Sequence, residues 1–237
     1  MSKEKQEIAL IVGAGRGLSA SLARLFASQG MRVALAARNT DKLAGLATET
    51  GAKAYVCDAA DPASVDALFE SVTQDMDVPN IVVYNASNRG GRGPVTELDP
   101  EAVRNALMIT TFGGFLVAQA AAKRMIPAGG GTILLTGASA SVKGFPNSSS
   151  FAMGKFGLRG LAQSLARELQ PQNIHVGHFV IDGGIALLAE VDERAAARGV
   201  DGLLNPDAIA QAYLQLHRQH RSAWTWEIEL RPWVEKF

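Results

Sequence analysis

The sequence is poor in cysteine, in aromatic residues and in net charge, and each shortage removes a class of protein. With one cysteine, Cys57, in 237 residues, neither an internal disulfide nor a multi-thiolate metal site can form, so the chain belongs in a reducing compartment or is indifferent to one. Aromatic side chains make up 6% of the chain, against 47% hydrophobic residues overall. That balance suits close packing of helices on a sheet better than an aromatic-rich β-sandwich. The 23 basic and 23 acidic side chains cancel, so there is no electrostatic footprint for nucleic acid or an anionic membrane, and neither is expected as a partner. No run approaches the ~20 apolar residues of a membrane-spanning helix. The opening Met1–Glu7 is polar and the apolar run after it is too short for an export signal. The expected location is the cytoplasm.

What is present is a repeating alternation of strand and helix. Ile8–Val12 is a continuous apolar run ending in glycines, as in a strand buried on both faces, and a helical pattern follows from about Leu18. Similar strands are predicted near Arg32–Ala36, Ala54–Cys57, Asn80–Tyr84, Thr132–Thr136 and Ile174–Val180, with a seventh in Trp224–Leu230. Repeated βαβ units imply a doubly wound α/β fold of Rossmann type: a parallel sheet of about seven strands with helices on both faces. Asp61-Pro62, Asp99-Pro100 and Asn205-Pro206 each set a capping side chain before a proline suited to the first helical position. One helix should run from Pro100 toward Met125 and another from Ser149 to Leu169. No repeat or linker divides the chain, so residues 1–237 are expected to form one domain. Within it, 182–205 is the least regular part, read either as a mobile substrate loop with a short helix or as a plain surface excursion.

The turn after the first strand, Gly13-Ala14-Gly15-Arg16-Gly17, precedes a helix N-terminus. Glycines there permit unusual dihedrals and close backbone approach, and the helix end favours an anion, so the turn is expected to hold the pyrophosphate of a dinucleotide. Leu18 stands where a third glycine of the G-x-G-x-x-G pattern would be. The pattern Gly13-x-x-x-Gly17-Leu18 resembles the short-chain dehydrogenase/reductase family. Tyr84-Asn85-Ala86-Ser87 is similar to the family's Asn-Asn-Ala-Gly segment, and Ser139 matches its serine. Lys155-Phe156-Gly157-Leu158-Arg159-Gly160 with Ser164-Leu165-Ala166-Arg167-Glu168-Leu169 resembles its lysine-bearing helix. Asp182-Gly183-Gly184-Ile185 stands in the place of Pro-Gly-x-Ile.

The resemblance implies a nicotinamide cofactor held by Gly13, Gly15, Arg16, Gly17, Leu18, Asp58, Asn85, Ala86, Lys155, Gly183 and Ile185. The second strand ends Ala36-Ala37-Arg38-Asn39, without the carboxylate that would bind ribose hydroxyls and repel a 2′-phosphate. Arg38 and Arg16 could instead pair with that phosphate, so NADP(H) is favoured over NAD(H). The family's catalytic residues are a tyrosine one helical turn before the lysine, the serine, the lysine and an asparagine. Here Phe151 takes the tyrosine position and Thr110 the asparagine position, while Ser139 and Lys155 remain, and Asp182 introduces a carboxyl group that could donate a proton. The reading is an NADP(H)-dependent oxidoreductase acting on a small carbonyl, imine or otherwise activated substrate with non-standard proton donation. Two alternatives stay open: a protein that binds the dinucleotide without turnover, as a sensor or subunit, and an introduced replacement of tyrosine by Phe151.

Several other residues are read as structural. His175 and His178, an odd interval apart on a strand, point to opposite faces. His217 and His220 are read as surface residues at a helix end, Tyr213 as core, and Trp224 and Trp226 as one strand face at a subunit contact. No spacing points to a metal site. A homodimer or homotetramer is implied, through the helices starting near Pro100 and Ser149.

Overall fold

Five strands with almost no polar surface can persist only if both faces of their sheet are covered, and the computed structural model, which describes residues 6–187 and 192–235, has that architecture. β1 (Ile8–Val12), β2 (Arg32–Ala37), β3 (Lys53–Val56), β4 (Ile81–Tyr84), β5 (Gly131–Thr136), β6 (Ile174–Ile181) and β7 (Glu227–Leu230) form one parallel sheet in the order β3-β2-β1-β4-β5-β6-β7. The order reverses between β1 and β4, which opens a crevice at their carboxyl ends. α1 (Leu18–Ser28) and α8 (Pro206–His217) cover one face, packing on Ala9, Ile11 and Phe179. α3 (Pro62–Asp75), α5 (Gly113–Met125) and α6 (Ser149–Leu169) cover the other, on Leu10, Val82 and Ile133.

The proline-marked helix starts are as expected. Asp61 accepts from Ala63 N–H at the start of α3, and Asn205 accepts from Asp207 and Ala208 at the start of α8. Asp99 accepts from Glu101 and Ala102 at the start of α4 (Pro100–Leu107). The long helix from Pro100 is not uniform: α4 passes into α5 through one π turn, Met108–Phe112, in which Thr110 is fully buried. Contrary to the sequence expectation, Pro100–Met125 is long and apolar enough to cross a membrane by length and composition. Val117, Ala118, Ala121 and Met125 on one side of it are instead buried against the sheet.

Within 182–205, Ile185 pairs with Leu204, and the short α7 (Glu193–Arg198) is capped by Asp192; Leu188–Val191 lie outside the described residues. Two expectations are corrected. His217 is not a surface residue: its ring bonds Thr132 Oγ1 (2.8 Å) and Glu7 Oε1 (3.2 Å), and burial pushes its pKa down. The last strand is shorter than expected, beginning at Glu227. Trp224 precedes it, stacked on His175 at 4.5 Å within its own chain, while Trp226 lies against Arg159.

Candidate active site

The glycine turn, Asp58, Asn85-Ala86, Ser139 and Gly183 follow the carboxyl ends of β1, β3, β4, β5 and β6, while Phe151 and Lys155 come from α6 and Thr110 from the π turn. After β1, Gly13 adopts φ +83°, and a Cβ there would stand 2.3 Å from the Ala86 nitrogen; the turn packs so tightly on the chain after β4 that no other residue fits. Ser19 ties the two together, its hydroxyl donating to Gly13 C=O (3.2 Å) and accepting from Asn85 Nδ2 (2.7 Å). Gly17 is the N-cap of α1, and no side chain caps that helix; Gly15, Gly17 and Leu18 are not among the residues lining either cleft described below. Gly15 faces open space. Leu18 is buried in the core, which leaves only its main chain to meet a ligand. Arg16 lies in the turn and is not among the residues lining either cleft described below.

Two clefts meet at Asn85 and Ser87. The first, about 540 Å³, is lined by Gly13, Arg38, Asn39, Lys42, Asp58, Asn85 and Ala86, among others. Arg38, Asp58, Asn85 and Ala86, the positions expected from the motifs to meet the cofactor's adenosine side, fall together in its lining. Asp58 serves its own turn as well, its Oδ1 accepting from Ala60 N–H. The second, about 800 Å³, holds Ser139, Phe151, Lys155, Gly183 and Ile185.

In the second cleft, α6 carries Phe151 and Lys155 one turn apart. Lys155 is almost fully buried, donates from Nζ to Thr136 C=O (2.7 Å), and has its pKa pushed down to about 7, first by burial and then by the charge of Arg89. The Arg89 guanidinium stands 4.7 Å from the Phe151 ring centroid and Lys155 Nζ 5.8 Å from it. Thr110 lies beneath: its hydroxyl accepts from Asn88 N–H (3.1 Å) and donates to Asn88 C=O (3.3 Å).

No phenol reaches this cleft. The chain has three tyrosines. Tyr55 donates to Asp75 at the far edge of the sheet, Tyr84 to Ile109 C=O, and Tyr213, stacked on Phe179, bonds Thr136 Oγ1 (2.9 Å). Burial raises the pKa of all three. Asp182 is absent too. Its Oδ2 is engaged by Lys143 (3.3 Å) and Arg231 (3.0 Å), and it is not among the residues lining the cleft. The proton-donor role expected of Asp182 is therefore corrected: the two cations hold its carboxylate as a clamp between β6, the loop before α6 and the chain after β7.

The short chain dehydrogenase family model matches residues 7–198. The chain belongs to the short-chain dehydrogenase family. D-threitol dehydrogenase of Mycolicibacterium smegmatis is 31% identical to it over 175 residues, 72% of this chain and 67% of that protein. A crystal structure of a short-chain dehydrogenase from Rhodopseudomonas palustris is 33% identical, with a TM-score of 0.82 over 96% of this chain and 99% of that one. The structure of a metagenomic short-chain oxidoreductase in complex with NADP is 25% identical, with a TM-score of 0.82 over 97% and 98% of the two chains.

Sequence reading of this short-chain dehydrogenase missed five cations that the fold brings to the crevice: Lys42, Arg89, Arg92, Arg194 and Arg198. Lys42 lines the first cleft beside Arg38; its spacing of four residues from Arg38 was the available signal. Arg89 and Arg92, on the loop between β4 and α4, line the second, and nothing local in the sequence sets them apart from a solvated turn.

Proposed function

We propose that this chain is an NADP(H)-dependent oxidoreductase whose substrate is a small carbonyl, imine or otherwise activated acceptor, and that it works without a tyrosine acid. The observation that carries the reading is the buried Lys155 amine beside Ser139 in a cleft that runs into the glycine-turn groove, with Phe151 one turn before it. The groove's donor set suits the dinucleotide: an uncapped helix end behind a tight glycine turn for the pyrophosphate, and Arg38 with Lys42 for a 2′-phosphate. When bound, the nicotinamide supplies or takes the hydride. In this reading the Ser139 hydroxyl orients the substrate's polar atom. Lys155, with a pKa about 7, holds or releases a proton at Nζ near neutrality, and the Phe151 ring excludes water from one wall. An iminium acceptor would need no proton on its reacting atom. We place the enzyme in the cytoplasm, as a homodimer or homotetramer, with 182–205 over the substrate.

A second reading, a dinucleotide-binding protein without turnover, is favoured by the lack of any tyrosine in the cleft. Both are tested by titrating NADPH and NADH into the protein and screening NADPH oxidation over aldehydes, ketones, quinones and imines. NADPH should bind more tightly, Arg38→Ala should weaken NADPH about tenfold and NADH far less, and at least one acceptor should be reduced. Phe151→Tyr should extend activity to ordinary ketones. Binding without oxidation of any acceptor favours the second reading, and equal losses for the two cofactors in Arg38→Ala refute the 2′-phosphate assignment.

A further inference from the structure

The second cleft is far more cationic than the chain that forms it. Overall the charges cancel, yet the lining includes Arg89, Arg92, Lys155, Arg194 and Arg198 and no aspartate or glutamate among the described residues. Two of these charges are answered from outside the cleft: Arg194 forms a bidentate pair with Asp192, and Arg198 pairs with Glu235 (3.2 Å). Lys155 donates to a main-chain carbonyl. Arg89 and Arg92 have no carboxylate partner and no hydrogen bond among the described residues. Low-dielectric walls lined with one sign of charge concentrate the field and attract the opposite ion.

The loop that carries these two arginines is built in, not loose. Thr110 grips Asn88 by both its N–H and its C=O, and Asn88 Oδ1 in turn accepts from Gly90 N–H (3.0 Å). Gly90, at φ +66°, packs where a Cβ would stand 2.2 Å from Ser150 Oγ and 2.7 Å from Ala106 Cβ. Gly93 N–H donates to Asn147 C=O (3.1 Å). The Arg89 guanidinium is then set over the Phe151 ring, a contact that holds a cation without neutralising it. Phe151 and Thr110, which stand at the family's tyrosine and asparagine positions, thus both support Arg89: Phe151 from below as an aromatic seat, Thr110 from behind as the clamp on its loop. Serving only as filler would not require Phe151 to carry a guanidinium on its face.

We infer that Arg89 and Arg92 form an oxyanion-binding subsite of the substrate cleft, so that the substrate carries a carboxylate or phosphate group beside its reacting atom. This rests on the substrate cleft proposed above and narrows it from a small activated acceptor to an anionic one. A guanidinium fork meets either oxyanion through two parallel N–H bonds. The phosphates of a dinucleotide are expected on the other side of Asn85, at the α1 end and beside Arg38, so the two anion sites can be filled together.

Calorimetric titration of the protein saturated with NADP+ separates the possibilities, with malonate, inorganic phosphate and the uncharged dimethyl malonate as probes. Malonate or phosphate should bind and the diester should not; whichever anion binds more tightly names the group. Arg89→Gln and Arg92→Gln should each weaken that anion about tenfold, while Arg89→Lys, which keeps a charge on the ring, should lose less. Both are exposed loop residues, and an unchanged NADP+ affinity in the variants shows the fold intact. Equal binding of malonate and its diester, or wild-type anion affinity in the Arg89→Gln/Arg92→Gln double variant, overturns the subsite. Should NADP+ itself fail to bind, the cofactor reading falls, and the same titrations on the cofactor-free protein still decide the arginine site.

Discussion

A primary amine buried without a carboxylate partner sheds its proton more readily than one in water, and Lys155 is held in that state. It donates to Thr136 C=O, sits inside the end of the sheet, and feels the positive charge of Arg89, so its pKa falls to about 7 from the ordinary 10.5. Between those values the unfolded chain keeps the proton that the folded chain has lost, so stability rises with pH by up to ~1.4 kcal/mol per unit. Below about pH 7 both states hold the proton, and the buried charge destabilises the fold by a constant amount. Urea unfolding at pH 7, 8 and 9 should therefore show a positive slope in the wild type that is smaller in Lys155→Met by about that amount. Parallel slopes in the two proteins would remove the depressed amine. Lys155 was legible in the sequence because the stretch it opens, 155–169, resembles the family's lysine-bearing helix. Arg89 was not, because its meaning lies in a contact with a ring on a distant helix that no local pattern records.

At the scale of elements, most of the structure follows from rules the chain states openly. An apolar run closed by glycine gave β1 and the turn after it, and a capping side chain before proline gave the starts of α3, α4 and α8. The Asp99 cap is the clearest to test, since its carboxylate takes two N–H groups of a helix whose first turn is exposed. Asp99→Ala should cost about 1 kcal/mol in urea unfolding and leave NADPH affinity unchanged, because the cap lies at the far end of α4 from Thr110; a loss of cofactor affinity would mean that the cap, through α4, sets the crevice itself. The π turn between α4 and α5 escaped sequence reading for a physical reason. One extra residue in a helix shifts the apolar stripe by about 100°, and a segment rich in alanine, glycine and threonine has too little contrast between its faces to register the shift. Yet that turn places Thr110 where it grips the Arg89 loop.

For the whole molecule, the strand order and the double winding follow from short right-handed crossovers, which leave few ways to connect seven parallel strands. What those rules leave open is which surface stays unpartnered. On α5 and α6, Phe115, Met153 and Phe156 are exposed at 39%, 48% and 44%, although both helices also bury a full apolar face against the sheet. A helix apolar on two sides is expected where a second surface covers it, and these are the helices through which a homodimer or homotetramer is proposed. Sedimentation velocity should then find the wild type as a dimer or tetramer, and Met153→Glu with Phe156→Glu should shift it toward monomer by burying two charges in the contact. The residues face outward, so far-UV circular dichroism should be unchanged. A wild-type monomer, or an assembly indifferent to both charges, would assign the exposed apolar side chains to some other task, and their nearness on α6 to Phe151 and Lys155 would make the rim of the substrate cleft the first place to look.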